Sequence, residues 1–271
     1  MSARIARQRL DTRLVEEGLA ADVKTASALI MERRVLAGGQ PVRGAGTLIR
    51  DDVPVALKGG DGTWVSRGAY KLLTAVERFG LDLSGRVCLD VGSSTGGFTQ
   101  VMLARGAARV YSVDVGYGLL DWSLRSDPRV SVMERTNARL LTPEIFSPVP
   151  DFAASDASFI SLRLLLEPMA NVTLPEAEAV VLVKPQFEAR KADVGEGGVV
   201  RSPSVHVTVL GGLLSFIAEE TPWCVTEASW SSIKGPKGNI EFLLHLRKGT
   251  PSAEIDVEKL VMDAHEALGR R

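Results

Sequence analysis

Two lysines and two carboxylates in this chain have surroundings that suit proton transfer. Lys71 lies in the string SRGAYKL, and Asp156 directly follows the apolar run DFAAS. Lys184 follows AVVLV, and Glu241 interrupts the apolar string NIEFLLHL. A buried carboxylate needs a partner, which either lysine can supply. A lysine that is buried beside a second cation can act as a general base, because both conditions lower its pKa; the alternative is a purely structural group of ion pairs.

A glycine-rich turn follows the apolar residues 87–91 in the string VCLDVGSSTGGFT. A strand, a glycine turn and a helix start in this order let a ligand approach bare backbone amides. The dinucleotide fingerprint would place a second glycine where Ser94 stands. A bulkier turn preceded by the Asp90 carboxylate favours a cationic ligand without phosphate, such as S-adenosylmethionine, over a nicotinamide cofactor.

Asp114 ends the next predicted strand, where an acid can accept hydrogen bonds from both ribose hydroxyls of an adenosine. Thr136 and Asn137 follow the third predicted strand and offer a hydroxyl and an amide to the adenine edge. Taken singly, either acid is equally explained as a helix cap or a surface charge. The predicted cofactor-binding residues are Asp90, Gly92, Ser93, Ser94, Thr95, Gly96, Gly97, Phe98, Asp114, Thr136 and Asn137.

The elements that must position these residues alternate between strand-like and helical patterns. Such alternation predicts a largely parallel sheet that is covered on both faces. In sheets of this kind the ligand lies beyond the carboxyl ends of the strands, where the strand order reverses. Strands are predicted at residues 87–91, 109–114, 129–133, 151–155, 179–183, 223–229 and 240–246. Helices are predicted near residues 67–80, 97–106, 119–125, 161–170, 204–220 and 254–268.

A smaller unit precedes this pattern. Apolar spacing predicts helices at residues 10–20 and 24–35, followed by short strands, and the glycine-rich segment 58–62 marks a boundary. Residues 1–60 hold ten Lys and Arg against seven Asp and Glu, a net charge of +3, although the whole chain carries −1. A basic arm on an acidic body indicates an anionic partner, or merely a solvated face.

Composition excludes several classes of protein. Hydrophobic residues make up 45% of the 271 positions and charged residues 24%, which predicts a folded protein rather than a disordered one. No apolar run approaches the ~20 residues of a membrane span, and the amino terminus lacks the apolar core of a secretory signal. Three histidines and two cysteines without ligand spacing predict no metal site. We therefore expect a cytoplasmic protein.

The amino-terminal strings RLDTRLVEEGLA and KTASALIMERRV resemble the small RNA-binding domain named after ribosomal protein S-four. The resemblance implies a domain over residues 1–61, a linker at 62–65, and a second domain over 66–271. In that family, basic residues of the first two helices contact structured RNA. The matching positions here are Arg9, Arg13, Lys24, Arg33 and Arg34.

The set Lys71, Asp156, Lys184 and Glu241 resembles the Lys-Asp-Lys-Glu tetrad of the FtsJ-type ribose methyltransferases. The chain as a whole resembles the TlyA family, whose members are called hemolysins or ribosomal-RNA 2′-O-methyltransferases. The strings WVSRGAYKL, LDVGSSTGGFT, VDVGYG, LVKPQFE and GPKGNIEF occur in the family's order. The resemblance implies a Rossmann-like class I methyltransferase fold with a mainly parallel seven-stranded sheet, beside a small α+β amino-terminal RNA-binding domain.

Further expectations about chemistry follow from this resemblance. S-adenosyl-L-methionine is the expected cofactor, and ribosomal RNA or a ribosomal subunit is the expected partner. Lys184 is expected to act as the base or the key orienting group, with Lys71 lowering its pKa, while Asp156 and Glu241 fix the two amines. Phe159 and Phe187 flank the site as core residues or as stacking partners for a flipped base.

Other functions compete with ribose methylation. One is an RNA-binding protein of hemolysin type without methyltransferase activity. A lytic protein is disfavoured by the lack of a long apolar span, and a small-molecule methyltransferase by the basic amino-terminal unit.

Overall fold

The computed structural model describes residues 7–17, 19–20, 22–31, 35–38, 40–42, 44–57 and 64–269. The predicted boundary at residues 58–62 and the first half of the predicted linker lie outside these ranges. The division of the chain at residue 61 therefore stays a prediction.

Residues 7–57 form a small helical and stranded unit. Its elements are β1 (Arg7–Arg9), α1 (Leu10–Glu16), α2 (Val23–Met31), β2 (Val35–Ala37), β3 (Gln40–Pro41), β4 (Leu48–Arg50) and β5 (Val55–Leu57). Strands β1 and β4 pair with each other, and β2 pairs with both β3 and β5. The helix predicted over residues 10–20 ends at Glu16, because the amides of Leu19 and Ala20 both turn back to the Leu14 carbonyl oxygen.

The larger unit alternates strands and helices over residues 69–269. Its elements are α3 (Ala69–Arg78), β6 (Val87–Val91), α4 (Gly97–Ala104), β7 (Arg109–Val113), α5 (Trp122–Arg125), β8 (Val130–Met133), β9 (Phe152–Ser155), α6 (Leu166–Asn171), β10 (Glu178–Val183), α7 (Pro185–Glu188), α8 (Pro203–Glu220), β11 (Trp223–Trp230), β12 (Phe242–Lys248) and α9 (Val257–Gly269). The seven predicted strands are present among the described residues, with ends within two positions of those predicted.

Two predicted helices of the larger unit are wrong in extent, and in the smaller unit the helix predicted at 24–35 ends before Val35, which begins β2. The helix expected at 119–125 is the single turn α5, which begins only after Asp121 caps the amide of Ser123. The helix expected at 161–170 is divided into a short 3-10 turn, Leu162–Leu164, and α6. Pro168 explains the division, because its ring clashes with the carbonyl of the residue four positions earlier and it donates no backbone hydrogen bond.

Strand order places the site. In the large sheet the order is β11-β12-β10-β9-β6-β7-β8, and β12 runs antiparallel to both neighbours while the other pairings are parallel. The chain starts at β6, moves outward through β7 and β8, and then returns to the other side of β6 with β9. The order therefore reverses between β6 and β9, and a crevice opens there beyond the carboxyl ends of the strands.

The core covers both faces of this sheet. Helices α3 and α4 bury Leu72 and Met102 against one face. Helices α6, α8 and α9 bury the other face, with Met169, Leu213 and Val261 among the side chains fully removed from water. Because both faces are covered, the strands are mostly apolar, and Asp156 and Lys184 directly follow the ends of β9 and β10.

Candidate active site

A cavity of about 300 Å³ opens at the point where the strand order reverses. Its walls come from the start of α3, the turn after β6, the ends of β9 and β10, and the loop before β12. The lining residues are Ser66, Arg67, Gly68, Lys71, Gly92, Ser93, Ser94, Thr95, Gly97, Phe98, Asp156, Ser158, Lys184, Ile233, Lys234 and Pro236. Five distant segments of the sequence therefore share one site.

The two lysines and two carboxylates singled out by sequence form one continuous line of charges at this cavity. Lys71 Nζ lies 2.8 Å from an Oε atom of Glu241 and 3.4 Å from an Oδ atom of Asp156. The other Oδ atom of Asp156 lies 2.6 Å from Lys184 Nζ. The signs of the charges alternate from Glu241 to Lys184, so each ammonium neutralises at least one neighbouring carboxylate.

The inner half of this line is removed from water. The side chains of Lys71 and Glu241 are 7% and 0% exposed. Burial alone would lower the pKa of Lys71, but the carboxylates of Asp156 and Glu241 outweigh it and raise that pKa above its ordinary value. Burial raises the pKa of Glu241 even though the Lys71 ammonium opposes the shift. Each partner of this pair therefore favours the charged form of the other, against the effect of burial.

Lys184 has acceptors on every side. Its Nζ donates to the backbone carbonyl of Asp156 at 2.9 Å and to Ser158 Oγ at 2.8 Å, besides the ion pair with the Asp156 carboxylate. Two of the three protons of this ammonium are therefore donated in hydrogen bonds, and its charge is held against Asp156. The sequence analysis missed Ser158, although its place two residues after a strand-ending aspartate was the available signal.

An aromatic pair stands beside Lys184. Phe159 is 89% exposed and has a left-handed backbone with a φ of 63°. Its ring centroid lies 5.2 Å from that of Phe187, at a tilted angle. A bulky residue held in this conformation with its ring in solvent is unusual, and the ring is free to meet a planar ligand at the rim of the cavity.

The glycine turn fits tightly between β6 and α4. Gly92 has a φ of 82°, and a Cβ on it would lie 2.8 Å from the Ala157 backbone. A Cβ on Gly97 would lie 2.9 Å from the backbone nitrogen of Ala69, so the start of α3 presses directly on the turn. Among the predicted turn residues, Gly92, Ser93, Ser94, Thr95, Gly97 and Phe98 line the cavity, whereas Gly96 does not.

Asp90 lies behind the turn rather than in the cavity wall. It is fully buried, and one carboxylate oxygen accepts hydrogen bonds from the amide of Thr99 at 2.9 Å and from its hydroxyl at 2.6 Å. The other oxygen has no hydrogen-bond partner among the described residues. Burial raises the pKa of Asp90 to about 7. A cationic ligand that reached this oxygen would reverse that shift.

The residues predicted to hold an adenosine separate into two groups. Asp114 reaches the glycine turn, where its carboxylate accepts from the amides of Ser94 at 2.8 Å and Gly116 at 2.6 Å. Thr136 donates its hydroxyl to the Glu134 carbonyl. The Asn137 side-chain oxygen caps a short 3-10 helix by accepting from the Arg139 amide. The structure therefore brings Asp114 to the turn through Ser94, while Asp114, Thr136 and Asn137 all lie outside the lining of the cavity.

The basic residues of the amino-terminal unit are partly engaged within the protein. Arg9 forms an ion pair with Asp11, and the largely buried Arg13 forms one with Glu17. Lys24 Nζ lies 5.1 Å above the ring of Tyr117, which belongs to the loop after β7. Arg33 and Arg34 lie outside the described residues.

The described residues show neither a membrane-spanning helix nor a cluster of metal ligands. In the described ranges, no helix combines the length and apolar character that crossing a membrane requires. Within the same ranges, no cluster of three or more histidine, cysteine, aspartate or glutamate side chains has an arrangement that would hold a metal ion.

Comparison with known proteins shows which family, relatives and solved structures this chain is similar to. A family model described as FtsJ-like methyltransferase matches residues 64–248. The 16S/23S rRNA (cytidine-2′-O)-methyltransferase TlyA of Mycobacterium tuberculosis strain H37Rv is 45% identical over 264 residues, which covers 97% of each chain. Hemolysin A of Brachyspira hyodysenteriae is 36% identical over 243 residues, 88% of this chain and 98% of its own. The solved structure of a candidate hemolysin from Streptococcus thermophilus superposes with a TM-score of 0.76 at 38% identity and covers 98% of both chains.

Proposed function

The chain belongs to the TlyA family of FtsJ-like methyltransferases, and we propose that it transfers a methyl group from S-adenosylmethionine to a ribose 2′-hydroxyl of ribosomal RNA. One observation carries the proposal. Lys71, Asp156 and Lys184 line the same cavity as the glycine turn that would hold the cofactor, and the buried Glu241 forms an ion pair with Lys71 from behind the wall. A purely structural group of ion pairs has no reason to be placed beside such a turn.

The residues around the turn suit S-adenosylmethionine. When bound, this cofactor supplies a methyl group on a positively charged sulfur. The turn residues 92–98 include no charged side chain, so no cation there would repel that sulfur. Behind the turn, the unpaired oxygen of Asp90 is a buried acceptor that a ligand ammonium would satisfy. Asp114 would accept the ribose hydroxyls in place of the two backbone amides that it now binds.

The charge line would hold and prepare the acceptor hydroxyl. A ribose hydroxyl attacks only as it loses its proton, so groups that orient it and receive that proton lower the barrier. In the observed arrangement Lys184 donates two hydrogen bonds and forms an ion pair with Asp156, which favours the orienting role over that of a free base. Asp156 lines the cavity beside Lys184, and its carboxylate would receive the proton. Lys71 and Glu241 would hold Asp156 in place from behind.

The amino-terminal unit would supply the contact with RNA. We infer this role from the net positive charge of residues 1–60 and from the likeness to the S-four RNA-binding domain. Arg9 and Lys24, whose side chains lie at the surface or against Tyr117, are better placed for phosphate than Arg13, which Glu17 and the Arg50 carbonyl retain. An enzyme that acts on ribosomal RNA works where ribosomes are, so we propose a cytoplasmic location.

The test is to map ribose methylation on ribosomal RNA after incubation of ribosomal subunits with the chain, with Lys184→Ala, and with the exposed control Lys259→Ala. We expect new 2′-O-methyl groups with the parent and the control, and a loss of roughly 100-fold or more with Lys184→Ala. Equal methylation by the Lys184 variant would contradict the role given to that residue. RNA binding by the parent without any methylation would favour the alternative of an inactive RNA-binding protein.

A further inference from the structure

The loop of residues 231–241 connects β11 to β12 and ends at Glu241. Ile233, Lys234 and Pro236 of this loop line the cavity. The loop is folded back on itself, because the amide of Gly235 donates to the Asn239 carbonyl at 2.9 Å and the amide of Ser231 to the Glu241 carbonyl at 2.9 Å. These two hydrogen bonds bring Gly235 close to Glu241, the last residue before β12.

Gly235 is placed against the carboxylate of Glu241. A Cβ built on Gly235 would lie 3.1 Å from Glu241 Cδ and nearer still to Oε1, inside the 3.0 Å that real Cβ contacts keep. The backbone of Gly235 does not occupy the left-handed region, unlike that of Gly238 with a φ of 95°. Glycine at position 235 is therefore required by space rather than by backbone conformation.

We propose that Gly235 is a positioning residue for methyl transfer, whose missing side chain leaves the space in which the Glu241 carboxylate reaches Lys71. This inference rests on the proposed function. Glu241 has no other place to go, because its side chain is fully buried and its second carboxylate oxygen lies 2.8 Å from Lys71 Nζ. A methyl group at position 235 would displace the carboxylate by roughly 1 Å before ordinary contact was restored at 3.4 Å.

The loop is anchored on two sides, so the displacement falls on Glu241 rather than on the loop. Asn239 is 2% exposed; its amide donates to the Gly198 carbonyl at 2.9 Å, and its oxygen accepts from the Val200 amide at 2.9 Å. Near the other end, the hydroxyl of Thr74 on α3 donates to Ser232 Oγ at 2.7 Å. A shift of Glu241 would pass through Lys71 to Asp156, the residue that faces the acceptor.

The experiment is a double-mutant cycle with Gly235→Ala, Glu241→Asp and the two combined, and with Gly211→Ala as the control. Gly211 lies in α8 and has no atom within 4 Å of an added Cβ, so its substitution should leave methyl transfer and cofactor affinity unchanged. Single-turnover methyl transfer to ribosomal subunits and S-adenosylmethionine affinity are measured for each variant. We expect Gly235→Ala to slow methyl transfer roughly 100-fold with cofactor affinity within twofold of the parent.

The shorter aspartate makes room for the added methyl group. In the Glu241→Asp background we therefore expect Gly235→Ala to slow transfer less than roughly threefold further, which is a strong coupling between the two positions. Equal losses in both backgrounds would overturn the proposal, as would a Gly235→Ala variant as active as the parent. If Gly235→Ala alone does not fold, the combined variant decides the matter, since it should fold and match Glu241→Asp.

This design separates the two proposals. A parent that methylates no ribosomal RNA refutes the proposed function alone. Urea unfolding of the same four proteins then still tests the steric fit, because Gly235→Ala should lower the unfolding midpoint more in the parent than in the Glu241→Asp background. Equal midpoint changes in the two backgrounds would refute the fit, whatever the activity.

Discussion

Replacing Lys71 by methionine tests whether the Lys71 ammonium neutralises the buried carboxylate of Glu241. Methionine preserves much of the apolar stem and removes the ammonium. The fully buried Glu241 then loses the partner 2.8 Å away, and Asp156 keeps only Lys184. Removing one partner of a buried ion pair costs ~3–5 kcal/mol, because the remaining charge is left without compensation. We expect a loss of this size in the free energy of unfolding at pH 8.5.

The loss should depend on pH in a defined direction. Burial already raises the pKa of Glu241, and Lys71 opposes that shift. Without Lys71 the pKa rises further, so the folded variant holds a proton that the unfolded chain has released. Stability then falls as pH rises above the ordinary glutamate pKa, by up to about 1.4 kcal/mol per pH unit. At pH 5.5 the carboxyl is largely neutral when folded, and the variant should lie much closer to the parent.

Urea unfolding at pH 5.5 and 8.5 measures this effect. A loss of about 3 kcal/mol corresponds to a midpoint lowered by roughly 1–2 M. The variant Lys71→Met/Glu241→Gln removes both charges and should recover most of the loss at pH 8.5. Lys259→Met is the matched control, because its ion pair with Asp263 is 68% and 41% exposed and water screens it, so its loss should change the midpoint little.

Two outcomes would refute this reasoning. If Lys71→Met were destabilised equally at both pH values, the cost would come from packing and not from an uncompensated carboxylate. If the double variant were no more stable than Lys71→Met at pH 8.5, Glu241 would not be the charge that Lys71 neutralises.

Three further substitutions, at Asp90, Phe159 and Lys24, have expected effects on stability or on RNA binding. The raised pKa of Asp90, about 7 in the folded protein, makes the parent less stable as pH rises from about 4 to 7. Asp90→Asn should remove up to roughly 4 kcal/mol of that decline, measured by urea unfolding. An unchanged dependence of the unfolding free energy on pH would contradict this expectation. Phe159→Ala should weaken binding to ribosomal RNA by ~1–3 kcal/mol in a filter assay while cofactor affinity stays constant, and a purely structural ring would instead lower the melting temperature. Lys24→Ala should reduce RNA binding and its salt dependence without changing cofactor affinity; equal loss of both would mean that its contact with Tyr117 serves the cofactor site.

The sequence by itself determined the strands of the large unit and the turn after β6. These features depend on neighbours in the chain: an apolar run bounded by polar residues forms a buried strand, and glycines after Asp90 allow a sharp turn. The parallel pattern also predicts that strand ends meet at one rim, which is why Asp156 and Lys184 could be placed near the cofactor turn before any coordinates were known.

Only the tertiary structure decided how these residues contact one another. Lys71 of α3 reaches Glu241, the residue just before β12, and no local pattern encodes this contact between elements at opposite ends of the large unit. The hydrogen bond from Lys184 to Ser158 and the close approach of Gly235 to Glu241 also depend on the tertiary packing. The structure also shows that the side-chain oxygen of Asn137 caps a short 3-10 helix, a contact that the sequence did not predict. Local spacing fixes which elements form, but distances of a few ångströms between side chains follow from the packing of the whole sheet and its helices.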